Sequence, residues 1–255
     1  MKPEDFKPGW VPDVPDMIRD YQFAAIAPAL APPLPDEVDL RELMPKVQSQ
    51  GSIGSCVAHG WGAAQDAALK KSGRSFMGPS RLFIYYCGRE LEGTLFSDAG
   101  MTIRSGGKVL GKLGAPHERY WPYKVDRVYD RPVKAAFTNA LGHQAVIYRR
   151  VPVDPAWIMR SLAMRFPVVF GSMIYESFFE ASATGKVIMP RAGERALGGL
   201  GAEGHRVASH VDDMGGRARQ HEVVPELAQH FGETTVDRAA RRSEERRVGK
   251  ECLRL

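Results

Sequence analysis

The sequence predicts an α+β protein of two unequal halves, helical first and strand-bearing afterwards. Three observations carry this. Apolar residues recur at helical spacing through residues 56–71, 80–92 and 102–113. A short run rich in valine follows a proline at residues 168–174, which reads as a strand. No segment repeats another, so the two patterns belong to one layered architecture rather than to an array.

Each element has its own local reason. Residues 1–38 read as an extended arm, because the stretch 27–35 (APALAPPLP) favours polyproline II and cannot sustain a helix interior. Such an arm is expected to dock along the surface as a strap, or else to be disordered. Regular structure begins near residues 38–44. The helix at 56–71 has Gly54 and Ser55 as its entry turn and Gly73 as its stop. Val57, Trp61, Ala64 and Ala68 share one face, and the charges Asp66, Lys70 and Lys71 come late, as in a helix whose first half is enclosed. Ser80 is the candidate N-cap of the next helix, with Leu82, Phe83, Tyr86 and Cys87 on its apolar side. The third helix, 102–113, forms despite Gly106 and Gly107. Asp154-Pro155 is an N-cap followed by proline at the first helical position, opening a helix to about residue 165. The expected domains are the arm 1–38, a helical lobe 39–150, a β-rich lobe 151–233 and a non-native tail 234–255.

Composition narrows the function classes. The chain has 255 residues, 44% apolar and 25% charged, which is ordinary for a globular protein. No apolar run reaches the roughly 20 residues that span a bilayer, and the N-terminus lacks the apolar region of a secretory signal. The net charge of +5 is mild and forms no basic stripe with interleaved aromatics, so no nucleic-acid or membrane partner is expected. Cys56, Cys87 and Cys252 are an odd set and favour free thiols. A cytoplasmic location is the expectation.

The informative stretch runs from Gln50 to His59 (QGSIGSCVAH). A thiol in the first turn of a helix feels unpaired N–H groups and the positive end of the macrodipole. Both favour thiolate and lower a pKa of about 8.5. Small residues at 54 and 55 let a substrate backbone approach the sulfur. Gln50 can turn its amide to the same spot and, with the Cys56 N–H, form an oxyanion hole; one such donor is worth roughly 3–4 kcal/mol.

These residues resemble the nucleophile motif of the papain family, Gln-Gly-x-Cys-Gly-Ser-Cys-Trp-Ala-Phe, with Gln50, Gly51, Gly54, Ser55, Cys56 and Ala58 in register. Residues 38–41 (VDLR), 79–93, 120–123 (YWPY) and 162–174 continue the resemblance, which covers about 38–199. It implies a papain-like two-lobed fold with a nucleophile-bearing central helix, an antiparallel β-rich lobe and a cleft between them. Residues 98–101 (DAGM) resemble the glycine-containing rim that pairs with substrate backbone; Gly100 would bind substrate and Met101 would line a pocket, or the segment is a plain surface loop. Ile53 stands where many secreted members carry a disulfide cysteine, Val57 replaces a tryptophan, and His59 replaces a core aromatic.

Histidine is the natural base for a thiol nucleophile. His205 is the candidate: Gly204-His205-Arg206-Val207 with Asp212-Asp213 resembles the family's Gly-His-Ala-Val strand and Gly-Tyr-Asp-Asp turn, 149 residues after Cys56. The alternative is a histidine without a catalytic role in a poorly patterned stretch. His59 lies one turn after Cys56 and faces either the sulfur or the core; the core is expected. Cys87 belongs to a buried helical face. Cys56 and His59 have a C-x-x-H spacing, but two further zinc ligands are not evident nearby. The family's orienting Asn-Ser-Trp is absent; Pro225 falls where the Asn belongs, and Asn139 is the sole asparagine. Residues 242–252 (RSEERRVGKEC) are the translation of a widely used sequencing adapter. The stretch from about residue 199 onward is therefore expected to be corrupted, with the Asn motif in a shifted frame near 224–227.

The expected function is hydrolysis of peptide bonds in a peptide or protein substrate by Cys56, His205 and Gln50, without metal or organic cofactor. Two other readings stay open: a papain-like module that binds peptides without cutting them, and a redox or structural protein with one exposed thiol.

Overall fold

Helix α1, Cys56–Lys71, begins and ends where the sequence predicts. The computed structural model describes residues 7–14, 16, 18, 20–26, 33–180, 187–204 and 206–208. Residues 27–32 of the Pro-rich stretch, His205 and all of 209–255, with the shifted-frame and tail readings, lie outside the described residues. α1 is enclosed on most sides: Val57, Ala58 and Ala67 are fully buried and Trp61 nearly so. Asp66, expected among the outward charges, is buried too. Its carboxylate accepts the backbone N–H of Met77 at 2.7 Å and of Gly78 at 3.1 Å, which satisfies the loop after the helix.

α2, Arg81–Glu92, starts after its predicted cap: Ser80 Oγ accepts the Phe83 N–H at 3.2 Å and donates to the Trp121 carbonyl at 2.5 Å. α3, Ile103–Lys112, is slightly shorter than predicted because Thr102 is its cap, accepting the Ser105 N–H. Gly106 and Gly107 are packing residues. A Cβ on Gly106 would lie 2.2 Å from Trp61 Cδ1, so only a bare backbone lets the indole lie against α3. The Trp61 indole N–H completes the contact by donating to the Ile103 carbonyl at 2.9 Å. α4, Lys134–Ala140, was not anticipated. α5, Pro155–Ala163, is capped by Asp154, whose Oδ1 accepts from Ala156 and Trp157. Among the described residues, no helix is long and apolar enough to cross a membrane.

The strands form three two-stranded sheets among the described residues. β1, Trp10–Val11, and β2, Glu37–Asp39, precede the helices. β3, Met101–Thr102, β4, Val168–Tyr175, β5, Ala196–Gly204, and β6, Arg206–Ala208, follow α1. β1 pairs in parallel with β3, β2 antiparallel with β6, and β4 antiparallel with β5. The β4–β5 hairpin lies across the start of α1, where a Cβ on Gly201 would fall 2.6 Å from Val57 Cγ2. One core gathers α1, α2 and α3 around Trp61, Phe83 and Trp121 and includes Val169 of β4. A second gathers Phe23, Leu40, Leu43, Ala67, Leu162 and Val168.

The arm does more than strap the surface. Gly9 and Trp10 are buried, and the Trp10 ring rests on a glycine floor where a Cβ on Gly171 or Gly199 would lie 2.1 or 2.5 Å from it. Farther along, the Arg104 guanidinium binds Asp13 at 3.1 Å and Asp20 at 2.6 Å, and Phe23 enters the second core.

Candidate active site

Cys56 is the first residue of α1, at the end of a Gly-Ser turn, and its side chain is only 2% exposed. The sulfur accepts the Gly201 backbone N–H at 3.2 Å, so the thiol sits where the helical lobe meets the β4–β5 hairpin. The N-cap Ser55 makes no capping bond to α1. Its hydroxyl instead pairs with the Tyr123 hydroxyl at 2.5 Å, and Tyr123 donates to the Gln50 carbonyl at 2.7 Å. Tyr123, the last residue of the YWPY stretch, thereby ties together both ends of the segment that carries the candidate oxyanion donor and the candidate nucleophile. Burial pushes its pKa up to about 12, so it stays a protonated donor near neutrality.

The thiol is not the low-pKa group that its helix position predicts. Burial pushes its pKa up, and the backbone N–H groups of Gly201, Val57, Gly9 and Cys56 itself pull downward without offsetting it. One of those groups, Gly9, belongs to the arm, which runs through the site. The Gly9 N–H donates to the Gly199 carbonyl at 3.1 Å and the Gly9 carbonyl accepts from the Met101 N–H at 2.9 Å. A Cβ on Gly9 would lie 2.0 Å from the Gly54 carbonyl oxygen. A peptide of this same chain thus lies over the Cys56 thiol, bonded to both walls.

Gln50 engages that peptide. Its Nε2 donates to the Lys7 carbonyl at 3.0 Å and to the Ile53 carbonyl at 2.9 Å. Gly100 lies against the arm at the rim, with φ +78 and a virtual Cβ 2.2 Å from the Gly9 oxygen, a place only glycine fits without strain. Met101 is a correction to the sequence reading. Its side chain is fully buried and packs on α2 at Gly88, where a Cβ would lie 2.3 Å from Met101 Cε. Its backbone N–H faces the arm, and its side chain lines no pocket in the cleft.

His59 faces the core side. Its Nδ1–H donates to the Ser55 carbonyl at 3.0 Å and its ring meets Tyr123 edge-on at 5.0 Å. Burial lowers its pKa to about 4, which keeps the imidazole neutral. His205 lies outside the described residues. On β5, the residue bonded to the thiol is Gly201, and Gly204 lies three residues, roughly 10 Å of extended strand, beyond it. Sequence reasoning missed Trp10 and the glycines around 199–201; the signal for the latter was the glycine-rich run 198–201, which marks close backbone approach. Among the described residues, no group of three or more His, Cys, Asp or Glu side chains could hold a metal ion.

No family model matches the chain. It is 35% identical over 177 residues to an uncharacterised peptidase C1-like protein of Acanthamoeba polyphaga mimivirus, a match covering 63% of this chain and 57% of that protein. The chain therefore spans little more than half the length of this curated relative. Its structure is similar to that of xylellain, a cysteine protease from Xylella fastidiosa, with a TM-score of 0.68 and 31% identity over 79% of this chain and 80% of that one. A procathepsin B from Trypanosoma congolense shares the fold at a TM-score of 0.58 and 12% identity, over 77% and 70% of the two chains.

Proposed function

The chain belongs to the papain-like cysteine peptidase family, and on that premise we propose that it hydrolyses peptide bonds with the Cys56 thiolate as nucleophile. The observation that supports this best is a peptide already lying over the thiol. Residues Lys7, Gly9 and Trp10 cross the cleft in extended form, bonded to Gln50 on one side, Met101 on another and Gly199 on the third. A substrate running the same path would bring its carbonyl to the sulfur.

In the proposed reaction the Cys56 thiolate attacks that carbonyl carbon. The developing oxyanion takes hydrogen bonds from the Gln50 amide and the Cys56 backbone N–H, the arrangement worth most in acyl transfer. The leaving amine departs with a proton supplied by an imidazolium, and the thioester is then hydrolysed by water after the imidazole takes a proton from it. His205 is assigned as that imidazole on sequence context. The bond between Gln50 and the Lys7 carbonyl supports the donor role, since the same N–H already serves a peptide carbonyl in the cleft.

The arm makes this a latent state. It lies over the buried thiol, and it fills the path a substrate needs. A fluorogenic peptide library incubated with the full chain and with a Trp10→Ala variant, in which the arm loses the ring that seats it, tests the reading. Hydrolysis that is abolished by Cys56→Ala and by an electrophilic epoxide supports it; hydrolysis that survives Cys56→Ala refutes it.

A further inference from the structure

We infer that Asp98 is a positioning residue for the nucleophile, its carboxylate fastening the turn that carries Cys56 to the rim of the cleft. Gly54 lies two residues before Cys56, and its N–H is shared between the two Asp98 oxygens at 3.0 and 3.1 Å. The Tyr85 hydroxyl on α2 donates to Asp98 Oδ1 at 2.5 Å and accepts the Gly100 N–H at 3.0 Å. One carboxylate, 12% exposed, thus joins the entry turn of α1, helix α2 and the rim. Lys7 of the arm approaches the other oxygen at 3.6 Å.

Two features make this tie consequential. The entry turn has no cap of its own, since Ser55 is committed to Tyr123, so its orientation depends on partners outside the helix. Ile53, the neighbour of Gly54, stands where many papain-family members carry a disulfide cysteine, so no covalent bond fixes the turn here. Tyr85 is fully buried, and burial first, then the adjacent carboxylate, raises its pKa, so its hydroxyl keeps its proton near neutral pH and donates to Asp98. Without the carboxylate, Gly54 loses the acceptor recorded for its N–H, and the turn can pivot about Ser55. A displacement of about 1 Å in a reacting group costs on the order of 100-fold in rate.

The inference rests on the peptidase reading for its turnover arm and is independent of it for its thiol-reactivity arm. The full chain and its Asp98→Ala, Asp98→Asn and Tyr85→Phe variants are compared by three readouts: kcat and KM on a fluorogenic peptide, the pH dependence of iodoacetamide alkylation of Cys56, and the amide proton shift of Gly54. Asp98→Ala is expected to lower kcat on the order of 10–100-fold with KM within about threefold. It is also expected to shift the alkylation profile and to move the Gly54 amide upfield. Asp98→Asn keeps an acceptor oxygen and is expected to recover most of the loss, and it tests the inference if the alanine variant fails to fold. Equal behaviour of the Asn and Ala variants in all readouts overturns the inference, as does an Asp98→Ala variant with unchanged kcat and alkylation profile. If neither the parent chain nor its Trp10→Ala variant cleaves peptide while Asp98→Ala still shifts the alkylation profile, the peptidase reading falls and the positioning role stands.

Discussion

The Cys56 sulfur feels two opposed effects: N–H groups that favour its anion, and a dry environment that favours the neutral thiol. Removal of the covering peptide should therefore lower its pKa, because the N–H groups belong mostly to the fixed walls. Burial acts on His59 as well. Its pKa is lowered by burial to about 4 from 6.5, so between those values the unfolded chain binds the proton and the folded chain does not. Stability is thus whole above pH 6.5 and is lost as the pH falls toward 4, by up to roughly 3 kcal/mol. A His59→Phe variant should show a flatter melting temperature between pH 7 and 4.5 with peptidase activity near that of the parent. A large loss of activity in that variant would instead make His59 the base. His205→Ala decides the same question from the other side: loss of a general base costs about 100- to 10,000-fold, and a full-rate variant removes His205 from the reaction.

At the scale of elements, local chemistry explains what was legible. α1 could be bounded to the residue because Gly54-Ser55 and Gly73 flank an unbroken helical pattern. Ser80 and Asp154 are caps by residue type, and both make the bonds their side chains permit. Met101 was misread because a methionine beside a rim glycine looks the same from either face; the space it fills is created by Gly88, which no spacing rule links to it. β1 was invisible for a related reason: a two-residue strand pairs with a partner 91 residues away, and nothing local announces it. The arm itself yields a prediction. Trp10→Ala leaves the glycine floor empty and loosens the cover over the thiol, so Cys56 alkylation should accelerate at least about tenfold, read by mass spectrometry of the labelled peptide. An unchanged rate would mean that the ion pairs of Arg104 with Asp13 and Asp20 hold the arm in place without the ring. For the core, Gly106→Ala should destabilise the fold by about 1–3 kcal/mol in denaturant titration, because its methyl group would collide with Trp61.

For the whole molecule, the half with clear patterning, residues 38–180, was readable as helices converging on one thiol, and comparison with xylellain places the chain in the same fold. The stretch after about residue 199 was not readable in the same terms. The sequence around His205 lacks the apolar run expected of a core strand, the orienting asparagine is missing, and residues 242–252 match an adapter translation. A fresh read of the coding DNA is expected to interrupt the present frame before residue 242 and to supply an Asn-Ser sequence near 224–227; a clean in-frame read through Cys252 would contradict that. The central claim, that Cys56 is a peptidase nucleophile held under a removable arm, has its most direct test in active-site labelling. The full chain is treated with an epoxide-bearing peptide electrophile, alone and with Trp10→Ala, and the modified residue and residual hydrolysis are measured together. The account predicts single labelling at Cys56, faster in the Trp10→Ala variant, with activity lost in proportion to labelling. Labelling first at Cys87, or full hydrolysis after complete modification of Cys56, would contradict it.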